Sequence, residues 1–86
     1  MQIPADDVKP ILTRLRRAHG HLATVIRMLD EGAECEDALT QLAAVDKALR
    51  RSGYALVATG LEQCLTTEGP ENVDQDKLER LFLSFA

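Results

Sequence analysis

The chain has 86 residues and a formal net charge of -4 at pH 7. A chain this short forms one domain at most and buries only about 60 to 65% of its unfolded surface, so a monomer would be marginally stable. Aromatic residues make up 3% of the chain, and an aliphatic core favours helices over sheets. Without a basic segment followed by a long apolar run, we expect no signal peptide, no membrane span and a cytoplasmic protein.

The first predicted helix covers residues 7 to 31. Asp7 is its predicted N-cap, and Pro10 is placed in the first turn, where a missing N–H costs little. Leucine and isoleucine then recur at intervals of three or four residues as far as Leu29, which is typical of a helix with one apolar face. Gly32 is placed to end the helix.

The second predicted helix covers about residues 34 to 66. It contains no proline, and its leucines and valines again follow helical spacing. Gly69 and Pro70 separate it from the next helix.

The third predicted helix covers about residues 73 to 85. Asn72 is its predicted N-cap, and Gln75 follows three residues later, as in a capping box.

These three helices predict an all-α fold and a single domain over residues 1 to 86. A second helix of about 30 residues would be about 45 Å long, longer than a small domain is wide. Two long helices and a short one form an open hairpin with an uncovered apolar stripe. We therefore expect an obligate oligomer.

The charged residues are unevenly distributed along this acidic chain. From Val8 to Leu29 every charged side chain is basic, and Lys47, Arg50 and Arg51 form a second basic cluster. Such runs usually mark a solvated helix surface. Separate basic stripes on an acidic protein are also typical of a surface that binds a polyanion such as DNA.

Cys35 and Cys64 are the two cysteines of the chain. Two cysteines in a reducing compartment are more typical of a metal or redox site than of a structural disulfide, although each could be a buried inert thiol. On one continuous helix both would lie on the same face but about 43 Å apart, so they could not bond within a chain. Antiparallel pairing with a second copy, about a dyad near Leu49 and Arg50, would place Cys35 beside Cys64 of the partner.

One long segment carries a family resemblance, which extends over nearly the whole chain. It reads LTRLRRAHGHLATVIRMLDEGAECEDALTQLAAVDKAL, and its most specific parts are RLRR, LTQLAAV and a cysteine three residues after Gly32. The segment resembles the copper-sensitive operon repressor (CsoR) family. The resemblance implies a three-helix protomer, an antiparallel dimer through helix 2 and a flat tetramer made of two dimers. It also implies a repressor that releases operator DNA when an inducer binds between subunits.

The resemblance further implies that basic residues of helices 1 and 2 bind operator double-stranded DNA. The matching positions are Arg14, Arg16, Arg17, Lys47, Arg50 and Arg51. Among them, we expect Arg14, Arg17 and Arg51 to contact phosphates.

The sensor position departs from the copper-sensing pattern. Copper sensors of the family use a His-x-x-x-Cys pair in helix 2, whereas this chain has GLEQC at residues 60 to 64, with Gly60 in place of the histidine. The chain therefore most resembles the CsoR-like sulfurtransferase repressor (CstR) branch, which keeps both cysteines and senses persulfides. In that branch Cys35 would react with an inorganic or organic persulfide or polysulfide. Cys64 of the neighbouring subunit would then complete a di-, tri- or tetrasulfide, with no cofactor.

Two alternatives remain open. A Cu(I)-responsive repressor would use Cys35 and Cys64 with another ligand; His19 and His21 could replace the missing nitrogen, but they point about 200° apart and cannot both reach one metal. We expect both to be ordinary helix histidines. The weaker alternative is a helical interaction protein that does not bind DNA, or a small enzyme with a nucleophilic cysteine. The enzyme would need a base near its thiol, and no histidine lies near either cysteine in the sequence.

Overall fold

A computed structural model of the protein describes residues 3–63 and 74–86, and these residues form three helices and no strand. Helix α1 covers Ala5–Asp30, α2 covers Cys35–Gln63 and α3 covers Gln75–Leu83. The predicted all-α, three-helix fold is confirmed. Residues 64 to 66, Gly69, Pro70 and Asn72 lie outside the described residues. None of the described helices is long and apolar enough to cross a membrane.

Helix α1 begins two residues before the predicted position. Its N-cap is Pro4, which makes no side-chain capping bond, so the prediction of Asp7 as the N-cap is wrong. Asp7 lies in the first turn instead, where the negative charge of its carboxylate interacts favourably with the positive end of the helix dipole. Pro10 lies inside the helix, beyond the first turn in which it was predicted.

The connection between α1 and α2 is a short turn built on Gly32. Gly32 has a φ of 80°, a conformation that favours glycine over residues with a Cβ atom. Its N–H donates to the Leu29 carbonyl at 3.2 Å, and the Ala33 N–H donates to the Met28 carbonyl at 2.9 Å. This is a Schellman motif. The predicted helix end at Gly32 is therefore correct, and the short connection turns α2 back along α1.

The contact between α1 and α2 is lined by small and β-branched side chains spaced seven residues apart. The buried residues are Ile11, Ala18 and Val25 on α1, and Ala38, Val45 and Ser52 on α2. The Ser52 hydroxyl donates to the Ala48 carbonyl at 2.9 Å, so its burial leaves no donor unsatisfied. The two helices can approach closely because these side chains are small.

Helix α3 packs on the second half of α2 through Leu78, which is buried. The Tyr54 ring lies 4.9 Å from the Phe82 ring, centroid to centroid. The N-cap of α3 is Asp74, whose carboxylate accepts from the Lys77 N–H at 3.0 Å. The prediction of Asn72 as the cap is therefore wrong, because the nearer carboxylate at Asp74 already satisfies a free N–H of the first turn.

The protomer is long and thin, with principal extents of 54 × 25 × 13 Å. A helix with its side chains is about 10 to 12 Å across, so the protomer is one helix thick. A single layer cannot cover its own apolar faces. Large aliphatic side chains accordingly remain exposed on both long helices: Ile26, Leu29, Leu39, Leu42 and Leu49.

Candidate nucleic-acid interface and sensor cysteine

Three arginines from two helices line one cleft, which we call the arginine cleft. Its volume is about 430 Å³, and its lining residues are Arg14, Arg17, Ala18, His21, Ala48 and Arg51. Arg14, Arg17 and Arg51 are the three side chains that we expected to contact phosphates. Within the described part of the chain, none of these three guanidinium groups forms an ion pair.

Helical spacing explains how the cleft forms. On α1, Arg14, Arg17 and His21 follow intervals of three and four residues, which place them on one side of a helix. Ala18 and Ala48 lie between the longer side chains and form a low floor. The cleft is therefore a basic groove along the α1–α2 contact.

His21 also joins the two helices at this cleft. Its Nε2 atom forms a hydrogen bond with Oε1 of Gln41 on α2. The sequence prediction treated His21 as an ordinary helix histidine and missed its place among the arginines. The signal was present in the spacing, since His21 follows Arg17 by four residues and Arg14 by seven.

The other three predicted DNA-binding residues do not line the cleft. Arg16 and Lys47 are exposed and are not among the residues that line the cleft. Arg16 points about 100° away from Arg17. Lys47 precedes Arg51 by four residues, so it lies on the same side of α2 but outside the cleft lining. Arg50 is held within the protomer: Nε donates to the Asp46 carboxylate at 3.1 Å, and Nη1 donates to the Ala86 carbonyl at 2.9 Å.

Cys35 is the first residue of α2 and is exposed. Helical spacing places it within an arc of about 80° that also contains Leu39, Leu42 and Leu49. This exposed leucine face lies about 100° or more around α2 from Ala48 and Arg51. The cysteine and the arginine cleft therefore occupy different sides of the helix.

The second predicted sensor residue, Cys64, lies outside the described residues. Gly60, at the position where copper sensors of the resembled family have histidine, is buried. It lines an apolar cleft of about 200 Å³ with Ile3, Leu56, Val57, Leu78 and Leu81.

Cu(I) is the metal implied by the resemblance, and the described residues fit it in part. The Cys35 thiolate is a soft donor that suits Cu(I), whereas Gly60 has no side chain to donate. Across residues 3–63 and 74–86 no group of three or more His, Cys, Asp or Glu side chains could hold a metal ion.

Comparison with known proteins identifies the family. Residues 7–84 match the family described as metal-sensitive transcriptional repressor. The chain belongs to this family. The copper-sensing transcriptional repressor CsoR of Mycobacterium ulcerans is 34% identical over 76 residues, which cover 88% of this chain and 65% of that protein. CsoR of Mycobacterium tuberculosis is 34% identical over 70 residues, covering 81% of this chain and 59% of that protein.

A further relative is the copper-sensing transcriptional repressor RicR of Mycobacterium tuberculosis, which is 42% identical over 53 residues. Those residues cover 62% of this chain and 55% of RicR. The chain thus spans about three fifths of the length of the curated relatives it matches. No solved structure matches the chain significantly.

These relatives bear directly on the predictions. They are repressors and not enzymes, in agreement with the prediction, and membership of the CsoR family is confirmed. The match does not distinguish the persulfide-sensing branch. Because the relatives named above are copper sensors, they favour the Cu(I) alternative over the persulfide interpretation that we preferred from the sequence.

Proposed function

We propose that the protein is a cytoplasmic, DNA-binding transcriptional repressor whose arginine cleft contacts the phosphate backbone of operator DNA. The observation that carries this proposal is the convergence of Arg14, Arg17 and Arg51 on one cleft from two helices. Guanidinium groups bind phosphate with paired, charge-assisted hydrogen bonds. Each phosphate that they neutralise releases counterions, which supplies affinity even though the whole chain is acidic.

We further propose that the exposed leucine face forms the subunit contacts of a homodimer, which assembles into a homotetramer. The protomer is one helix thick, and Leu39, Leu42 and Leu49 are between 42% and 58% exposed. An apolar face of this kind favours burial against a second copy. Because the arginine cleft lies on another side of α2, assembly through the leucines leaves it open to DNA.

Cu(I) is the inducer that the relatives favour. In this proposal Cys35 of one subunit and Cys64 of its neighbour would hold Cu(I) through their thiolates, and a further ligand would complete the site. Bound Cu(I) would supply soft-metal bonds between subunits. Inducer binding weakens DNA affinity only if it stabilises a tetramer shape that fits DNA less well.

A persulfide or polysulfide is the second candidate inducer, and Gly60 favours it. Gly60 offers no donor atom and is surrounded by Leu56, Leu78 and Leu81, so the third ligand of a copper sensor is missing at that position. The Cys35 thiolate would attack a polysulfide, form a persulfide and release a polysulfide shortened by one sulfur atom. The Cys64 thiolate of the neighbouring subunit would then displace hydrosulfide and form a disulfide. Longer bridges would retain further sulfur atoms from the donor.

One experiment tests the repressor proposal and separates the two inducers. Reduced wild-type protein first selects a duplex from a randomised DNA library, and affinity for that duplex is measured as salt is raised. Steeply salt-dependent binding is expected, and the absence of sequence-selective binding would contradict the proposal.

The bound complex is then treated with Cu(I) or with polysulfide and examined by intact mass spectrometry under denaturing, non-reducing conditions. DNA release with stoichiometric Cu(I) and unmodified chains would establish a copper sensor. Release on polysulfide treatment with a covalent dimer, joined by a disulfide or by a longer bridge that adds about 32 Da per extra sulfur atom, would establish a sulfur sensor. Cys35→Ser protein is the control for both treatments.

A further inference from the structure

We propose that His21 is a fourth DNA-binding side chain of the arginine cleft, and that its protonation tightens operator binding as the pH falls. This inference rests on the proposed repressor function. It assigns a role to a residue that lines the cleft with Arg14, Arg17 and Arg51. Histidine is the side chain that ordinarily changes charge between about pH 5 and 8.

The hydrogen bond to Gln41 holds the imidazole in a form that can accept a proton without moving. The atom that faces Nε2 is the amide oxygen of Gln41. Because an amide oxygen is an acceptor only, the tautomer that satisfies this bond carries its hydrogen on Nε2 and leaves Nδ1 as the basic nitrogen. Protonation at Nδ1 preserves the bond to Gln41 because Nε2 donates in both charge states. The α1–α2 contact therefore survives protonation, while the cleft gains a cation.

The groups around His21 determine whether its protonation strengthens or weakens DNA binding. Arg14 and Arg17 of α1 and Arg51 of α2 line the same cleft as His21, and the neutral Gln41 of α2 forms a hydrogen bond with it. In the described part of the chain, the cleft lining includes no carboxylate. DNA phosphates bound in the cleft would favour a positive charge on His21. The DNA-bound state thus takes up a proton, and by linkage its affinity rises as the pH is lowered.

The experiment compares wild type, His21→Gln and His19→Gln on the duplex selected by wild-type protein, under reducing conditions at fixed salt. His19 is the matched control, because it is exposed on the same helix but does not line the cleft. Between pH 8 and pH 6, wild-type and His19→Gln proteins should gain at least about fivefold in affinity, within the usual range of a coupling free energy. His21→Gln should lose this gain. At pH 6 its salt slope should be shallower by about 0.9, the value for one phosphate contact.

A second variant, His21→Arg, carries a permanent charge in the cleft. It should bind at pH 8 about as tightly as wild type binds at pH 6. If His21→Gln keeps the wild-type pH dependence, or if wild type shows none, the inference is overturned while DNA binding itself stands. If wild-type protein selects no duplex at any pH, the proposed repressor function fails instead.

Discussion

Arg50 and Arg51 are neighbours in the sequence but serve different parts of the molecule. Arg51 lines the arginine cleft, whereas Arg50 donates to the Asp46 carboxylate and to the Ala86 carbonyl beyond α3. One helical step turns a side chain by about 100°, which is enough to separate a side chain in the cleft proposed to bind DNA from one that makes a contact within the protomer. Two residues that the family resemblance treats alike are thereby distinguished.

The first prediction concerns this pair. Arg51→Gln should weaken DNA binding and reduce the salt slope by about 0.9, because one phosphate contact is lost. Arg50→Gln should leave the slope unchanged and lower the free energy of unfolding by less than about 1 kcal/mol, as for an exposed ion pair. Fluorescence anisotropy at several salt concentrations measures the first effect, and thermal unfolding measures the second. Equal reductions of the salt slope in both variants would contradict the assignment of a phosphate contact to Arg51 but not to Arg50.

A second adjacent pair gives an independent check on α1. Arg17 lines the cleft and Arg16 does not. Arg17→Gln should reduce the salt slope by about 0.9, while Arg16→Gln should keep the wild-type slope. The same anisotropy titration compares the two variants. A larger loss for Arg16→Gln would place the DNA on the other side of α1.

Gly53 and Gly20 should respond in opposite ways to alanine. A Cβ atom at Gly53 would collide with the Phe85 ring, whereas a Cβ at Gly20 would meet nothing within 4 Å. Gly53→Ala should therefore lower the free energy of unfolding by about 1 to 3 kcal/mol, because the Phe85 ring after α3 would have to move. Gly20→Ala should stabilise α1 by about 0.5 to 1 kcal/mol, because alanine is the better helix former. Thermal unfolding of both variants tests this contrast, and a Gly53→Ala protein as stable as wild type would show that the Phe85 ring does not pack on Gly53 as described.

Assembly should depend on the exposed leucine face. Leu42 is 42% exposed, and a carboxylate buried there without a partner would be costly. Leu42→Glu should shift the protein towards monomers in sedimentation velocity. Ala44→Glu is the matched control, since Ala44 is exposed and lies about 160° around α2 from Leu42. If Leu42→Glu remains as large as wild type, subunits meet through another face.

Inducer response should depend on Cys35 separately from DNA binding. The Cys35 thiol lies on the exposed leucine face of α2, away from the arginine cleft. Cys35→Ser should therefore bind the selected duplex as wild type does but fail to release it with either Cu(I) or polysulfide. DNA release by this variant would exclude Cys35 as the sensor. If Cys35→Ser protein loses DNA binding before any treatment, DNA binding by the arginine cleft also depends on Cys35.

Local patterns in the sequence predicted the helical fold well but predicted the caps poorly. The end of α1 at Gly32 was predictable because the Schellman motif needs only a few neighbouring residues and a positive φ. The starts of α1 and α3 were less predictable, since several polar residues compete for each cap. At α3 the N-cap is Asp74 and not the predicted Asn72.

By itself, the sequence determined three helices, an uncovered apolar stripe, a basic stripe on each long helix and Cys35 at the start of α2. These features follow from spacing along one helix, which is local. Only the tertiary structure decided that Arg14, Arg17 and Arg51 share one cleft, that Arg50 instead holds Ala86, and that His21 bonds to Gln41. Such relationships depend on the register in which α1, α2 and α3 pack. That register is set by small buried side chains far apart in the chain, such as Ala18 and Val45, whose pairing no local pattern specifies.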